Sequence, residues 1–176
     1  MEAALRGLME TKPASQLHRA GPSHEADRER IGALLAALAV HQDALCARFY
    51  ERFFAQHPET RPLFGEHSES EREEMLNETL ASLLAWCDGE PWLRDNLEAL
   101  GASHWEYGVL DDMYDAFRTT FLAAAREVLT DEWDDARGRA LDGALQAVCA
   151  CMRDAGARAR ERSLARRRQR RPPGMG

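Results

Sequence analysis

LEALGASHWEYGV, residues 97–109, decides how this chain is read. Leu93, Leu97 and Leu100 recur at helical spacing, and His104 follows at i+11, i+7 and i+4 from them. The imidazole therefore lies on an apolar stripe, where a hydrophobe is expected. Gly101 and Ala102 keep the adjoining turn slim, which lets a bulky planar group approach. A lone histidine on such a face is ordinarily a core residue satisfied by a hydrogen bond. Whether this one is a ligand depends on the rest of the chain.

Working outward, the periodicity is helical throughout. Upstream, Ile31, Leu34, Leu35 and Leu38 share one face, and Leu45, Phe49 and Phe53 share another, which predicts two helices meeting near His41. Ser23 is a plausible N-cap for the first, with acidic residues behind it. HPETRPLFG, with prolines at 58 and 62, is a bend holding only short turns, closed by Phe64. Ser68 or Ser70 then caps a helix with Met75, Thr79, Leu83 and Trp86 on one stripe, stopped at Asp88-Gly89. Pro91 opens the helix that carries His104. Two long amphipathic helices follow, one through Met113 or Tyr114, Phe117, Phe121, Ala124 and Val128, the other through Leu141, Leu145, Val148 and Met152. No alternating apolar and polar run marks a strand, and no internal repeat is visible, so the fold class is all-α.

Composition narrows the setting. At 176 residues the chain reads as one domain over 24–156, with a loose extension over 1–23 interrupted by Pro13, Gly21 and Pro22. Cys46, Cys87, Cys149 and Cys151 are spaced as buried free thiols rather than as a disulfide frame or a zinc site. The absence of a long apolar run or a secretory pattern gives the expectation of a cytoplasmic protein. Residues 157–176 hold eight arginines against one glutamate, so the chain's net charge of −7 divides into +7 there and −14 elsewhere. An acidic body argues against a nucleic-acid-binding core. The Arg-rich tail reads first as a solvated, disordered end; contact with RNA, DNA or an anionic surface is the less favoured alternative.

Three segments in order carry a family likeness: ARFYERFFAQHPETRPLF at 47–64, EREEMLNETLASLLAW at 71–86 and LEALGASHWEYGVLDDMYDAF at 97–117. They resemble the globin family, most closely the bacterial single-domain haemoglobins and the globin domain of flavohaemoglobins. The resemblance implies a globin fold, a helical sandwich around a pocket for haem b and its iron. His104 matches the family's proximal iron ligand, with Leu100 one turn before it, and Phe64 matches the phenylalanine on the haem face. Tyr50 matches the distal tyrosine, whose hydroxyl donates a hydrogen bond to the gas ligand. Tyr114 matches a tyrosine that, in flavohaemoglobins, links the proximal histidine to a glutamate on the last helix.

Two positions depart from the pattern. Glu71 falls where Gln or His is usual, with Met75 one turn later above the iron. An ionised carboxylate has no proton to donate and is costly in a dry pocket, so Glu71 is expected to point outward or to be protonated. If it points outward, His67 or a register shift alters the distal inventory. On the last helix no Glu falls around Leu141, Asp142 and Gly143, which weakens oxygen activation unless Asp142 substitutes.

The first functional expectation is therefore reversible binding of dioxygen, with NO and CO as further ligands. Alternatives are a nitric oxide dioxygenase served by a separate reductase, since no G-x-G-x-x-G loop is present, and a haem-based gas sensor acting through a partner. A globin-shaped regulatory domain without haem is the remaining class. Small residues such as Ala123, Ala124, Ala144 and Ala147 pack either within the fold or across a homodimer.

Overall fold

The periodicity resolves into helices at the places it predicts. A computed structural model describes residues 25–65 and 68–169. Its elements are α1 (Glu25–Val40), α2 (Gln42–Gln56), a 3₁₀ turn (Pro58–Thr60), α3 (Arg61–Phe64), α4 (Glu69–Asp88), α5 (Leu93–Glu106), α6 (Asp111–Val128) and α7 (Asp135–Gln169). No strand occurs among the described residues. The expected cap Ser23 and the loop residue His67 lie outside them.

Local chemistry sets the ends. Ser68 is the N-cap of α4: its hydroxyl accepts from the Glu71 N–H, and the Glu71 carboxylate accepts from the Ser68 N–H at 2.6 Å. This reciprocal box satisfies two of the N–H groups that a helix start leaves over. Gly89 stops the same helix in the left-handed region, φ 68°, where a side chain would be strained. Pro91 lies two residues before its helix instead of opening it, the first regular turn beginning at Leu93.

Burial follows the stripes. Leu34, Leu38, Leu45, Phe49, Leu83, Phe121, Leu141 and Leu145 are essentially inaccessible, drawing α1, α2, α4, α6 and α7 around one core. Each such side chain contributes about 1.5–3 kcal/mol of burial. Ala124 and Ala144 are also wholly buried, so these small residues serve close helix contacts inside the chain.

The neighbour pattern positions the site. α5 lies along α7 as the most extensive pairing in the molecule, and α2 lies on α6. α4 and α5, although consecutive, hardly touch. The α5–α7 contact is a backbone contact. A Cβ on Gly101 would lie 2.1 Å from the Met152 carbonyl oxygen, and one on Gly156 would lie 3.2 Å from the Gly101 oxygen. Only glycine admits that approach.

One expectation is overturned. The tail read as disordered from residue 157 is helical as far as Gln169, because α7 continues without a break. Arginine and alanine are good helix formers, and Pro172 is the first proline after the helix begins. Among the described residues no single helix is long and apolar enough to cross a membrane.

Candidate functional site

α5 presents His104 one turn beyond its buried line of Leu93, Leu97 and Gly101. The imidazole meets Tyr114 of α6 edge to face, ring centres 6.2 Å apart. Burial pushes its pKa below the ordinary histidine value, opposed by the Leu100 carbonyl one turn back. Nδ1 is buried and has no partner of good hydrogen-bond geometry, so Leu100 acts on it only as a nearby dipole. The lowered value keeps His104 uncharged at neutral pH. A neutral imidazole with a free lone pair is what a transition metal takes as a ligand.

Tyr50 belongs to α2, within an aromatic cluster that runs to α6. Its ring meets Phe49 at 4.9 Å and Phe64 at 5.6 Å, and Phe49 in turn meets Phe117 at 5.1 Å. Phe64, at the end of α3, also packs edge to face on Phe54 at 5.2 Å and stays only partly buried. The Tyr50 hydroxyl donates to the backbone carbonyl of Arg72 at 3.0 Å, and the Arg72 guanidinium lies 5.7 Å from the ring centre. Burial raises the Tyr50 pKa well above its ordinary value, so the phenol keeps its proton and remains a donor.

The expected residues thus assemble in two pairs: Tyr50 with Phe64, and His104 with Tyr114. Leu100, half-buried, sits one turn behind His104. Glu71 takes the outward orientation expected of an ionised carboxylate, and Met75 departs from its expected place. Glu71 is exposed, and its carboxylate closes the capping box on Ser68. Met75, expected over the pocket, is 38% exposed, while its neighbour Leu76 is 1% exposed. A one-residue change of register turns a helix face by about 100°. Here the cap at Ser68 fixes that rotation, bringing Arg72 over Tyr50 and Leu76 inward.

Sequence reasoning also looked one stretch too early on α7. The residues that meet Tyr114 are Arg153, whose guanidinium is 5.8 Å from the ring centre, and Cys149, whose thiol lies 3.9 Å from the Tyr114 carbonyl. Asp142 is engaged elsewhere, by Arg118. Arg153 pairs with Asp115 at 3.2 Å, yet its Nε is buried without a partner. Burial, then Cys149 and Asp111, push the Tyr114 pKa up to about 12, with Arg153 opposing. The only sequence signal for this arrangement was Gly101, whose missing side chain lets Met152 in and so sets Arg153 beside it.

A crevice of about 420 Å³ lies on the outer side of Tyr50, lined by Cys46, Glu51, Arg61, Arg72 and Glu73 among others, and by no residue of α5. Its charged walls do not suit a flat apolar group.

The globin family model matches residues 47–152, and the chain belongs to the globin family. Among solved structures, it is similar to a bacterial globin from Campylobacter jejuni, with a TM-score of 0.67 and 19% identity over 78% of this chain and 99% of that one. It is also similar to an engineered carbene transferase derived from a candidate nitric oxide dioxygenase of Rhodothermus marinus, with a TM-score of 0.70 and 24% identity over 81% of this chain and 98% of that one. At these identities the likeness carries the fold. The family implies haem, and the residues present fit it. The donor is a neutral, half-buried histidine whose Nδ1 has no hydrogen-bond partner, the helix that carries it makes little contact with α4, and aromatic Phe64 is only partly buried.

Proposed function

We propose that this globin holds haem b through His104 and binds dioxygen reversibly. Haem, when bound, supplies the iron at which the gas is taken up. Everything else is the work of the chain. His104 supplies the neutral nitrogen, Leu100 and the α5–α7 contact hold its helix, and Phe64 supplies an aromatic wall. Tyr50, on the opposite side, is the candidate hydrogen-bond donor to the gas; to serve, its hydroxyl must exchange the Arg72 carbonyl for the ligand. The observation that carries the reading is the uncharged, half-buried His104, whose buried Nδ1 has no hydrogen-bond partner, on a helix that makes little contact with α4.

Reversible binding is favoured over oxygen activation by what surrounds the histidine. No carboxylate hydrogen-bonds to His104 or Tyr114 among the described residues, whereas such a bond makes an imidazole more imidazolate-like and pushes electron density onto iron. Nitric oxide dioxygenation with a separate reductase is the second reading, supported by the similarity to the Rhodothermus marinus protein. Both readings require a Soret band from the purified protein reconstituted with haem, and its loss or collapse in His104→Ala. No band in the unaltered protein overturns both. Single-turnover mixing with NO, followed by turnover with an added reductase, separates them: sustained catalysis selects the second.

A further inference from the structure

Arg153 is the cation that lies against the proximal pair, and the Asp111 carboxylate acts on the same Tyr114 with the opposite sign. Its guanidinium lies over the face of Tyr114, 5.8 Å from the ring centre, and Tyr114 in turn abuts His104. Asp115 holds one terminal nitrogen at 3.2 Å, while the Nε is buried and unpartnered, so the cation is only partly neutralised. Its place is set by backbone, because the neighbouring Met152 carbonyl is pressed against Gly101, one turn before His104 on α5. Arg118, the other arginine on this side, is paired with Asp142 and Asp115.

We propose that Arg153 is a positioning residue for the redox state of the haem iron: acting through Tyr114, it offsets the carboxylates of Asp111 and Asp115 on the proximal side and so favours the ferrous state over the ferric one. The proposal rests on haem ligation by His104. The physical argument is Coulombic. The ferric centre carries one more positive charge than the ferrous centre, and a fixed cation in a partly buried setting raises the free energy of the more positive state. A carboxylate linked to the histidine has the opposite effect. Arg153 also constrains Tyr114, whose edge-to-face contact sets the plane of the imidazole. The one-electron equilibrium needs no group beyond the iron and an external redox mediator.

The test is a mediated spectroelectrochemical titration of the full chain reconstituted with haem, comparing the unaltered protein with Arg153→Met, Arg153→Gln, Arg153→Glu and Arg153→Lys. Arg153→Met and Arg153→Gln keep the bulk and the helix propensity without the charge. They are expected to lower the reduction equilibrium constant by about tenfold, which is 59 mV for a one-electron couple. Arg153→Glu is expected to lower it further and to raise the iron–imidazole stretching frequency in resonance Raman spectra of the ferrous protein. Arg153→Lys is expected to stay within about twofold of the unaltered protein. A His104-ligated Soret spectrum with an equilibrium constant unchanged in the Met and Gln variants overturns this proposal and leaves the haem reading standing. Equal losses in the Lys and Gln variants also overturn it, since they indicate packing rather than charge. Failure of the unaltered protein to take up haem overturns both.

Discussion

The Tyr50 hydroxyl donates to the Arg72 carbonyl across the α2–α4 contact, at 3.0 Å. The bond satisfies a buried phenol, and it ties Tyr50 to the first turn of α4. Tyr50→Phe removes it at a cost of about 0.5–1.5 kcal/mol in the haem-free protein. In the reconstituted protein the same change should speed dioxygen release about tenfold or more, because a donor to a partly charged ligand is lost. Flash photolysis or rapid mixing reads the rate. An unchanged rate would mean that the hydroxyl stays on Arg72 when ligand is bound.

Gly101→Ala places a methyl group 2.1 Å from the Met152 carbonyl, against backbone that has no rotamer to yield. The expected loss is at least about 1–3 kcal/mol, with weaker haem retention because α5 must move away from α7. Gly143 is the internal control: it lies exposed in α7, and a Cβ added there would meet nothing within 4 Å. Gly143→Ala should stabilise by about 0.5–1 kcal/mol. Urea unfolding of both variants checks the contrast.

Ser68→Ala should cost about 1 kcal/mol through loss of the α4 cap. Glu71→Gln should weaken the same box, and the visible spectrum and the dioxygen release rate should be unchanged in both variants. A shifted spectrum in Glu71→Gln would return this carboxylate to the pocket.

His104 supplies a pH dependence of known sign. Burial lowers its pKa in the folded state, so the unfolded chain takes up a proton at a higher pH than the folded chain does. Stability is retained above the unfolded value of about 6.5 and declines as the pH falls from there through the folded value. Haem-free protein should therefore lose stability more steeply between about pH 7.5 and 5.5 than His104→Gln does. Parallel denaturant curves at the two pH values give the comparison. Equal slopes would show that His104 is no more buried than in the unfolded chain.

Helix identity and order were legible in the sequence because each helix announces itself locally, through an apolar stripe, a cap such as Ser68 or a stop such as Gly89. The likeness of three segments to globins led to the family, and the apolar stripe singled out His104. Two things could not be read. The rotation of α4 depends on which serine caps it, and one residue there exchanges Met75 for Leu76 on the buried side. The facing of α7 against Tyr114 depends on how far a long, unbroken helix slides along its neighbours. Leu141, Leu145, Val148 and Met152 satisfy the same stripe over a range of positions, and only the Gly101–Met152 contact selects one. That is why Arg153, a residue with no motif around it, escaped sequence reasoning.

The continuity of α7 has a mechanical consequence. From Met152, where it bears on Gly101, to Gln169 the rod extends about 25 Å at 1.5 Å per residue, with no proline joint and with arginines along its outer end. Because α7 stays buried as far as Ala159, with Gly156 against Gly101 and Arg158 paired with Glu98, a load on that end passes first to the helix that carries His104.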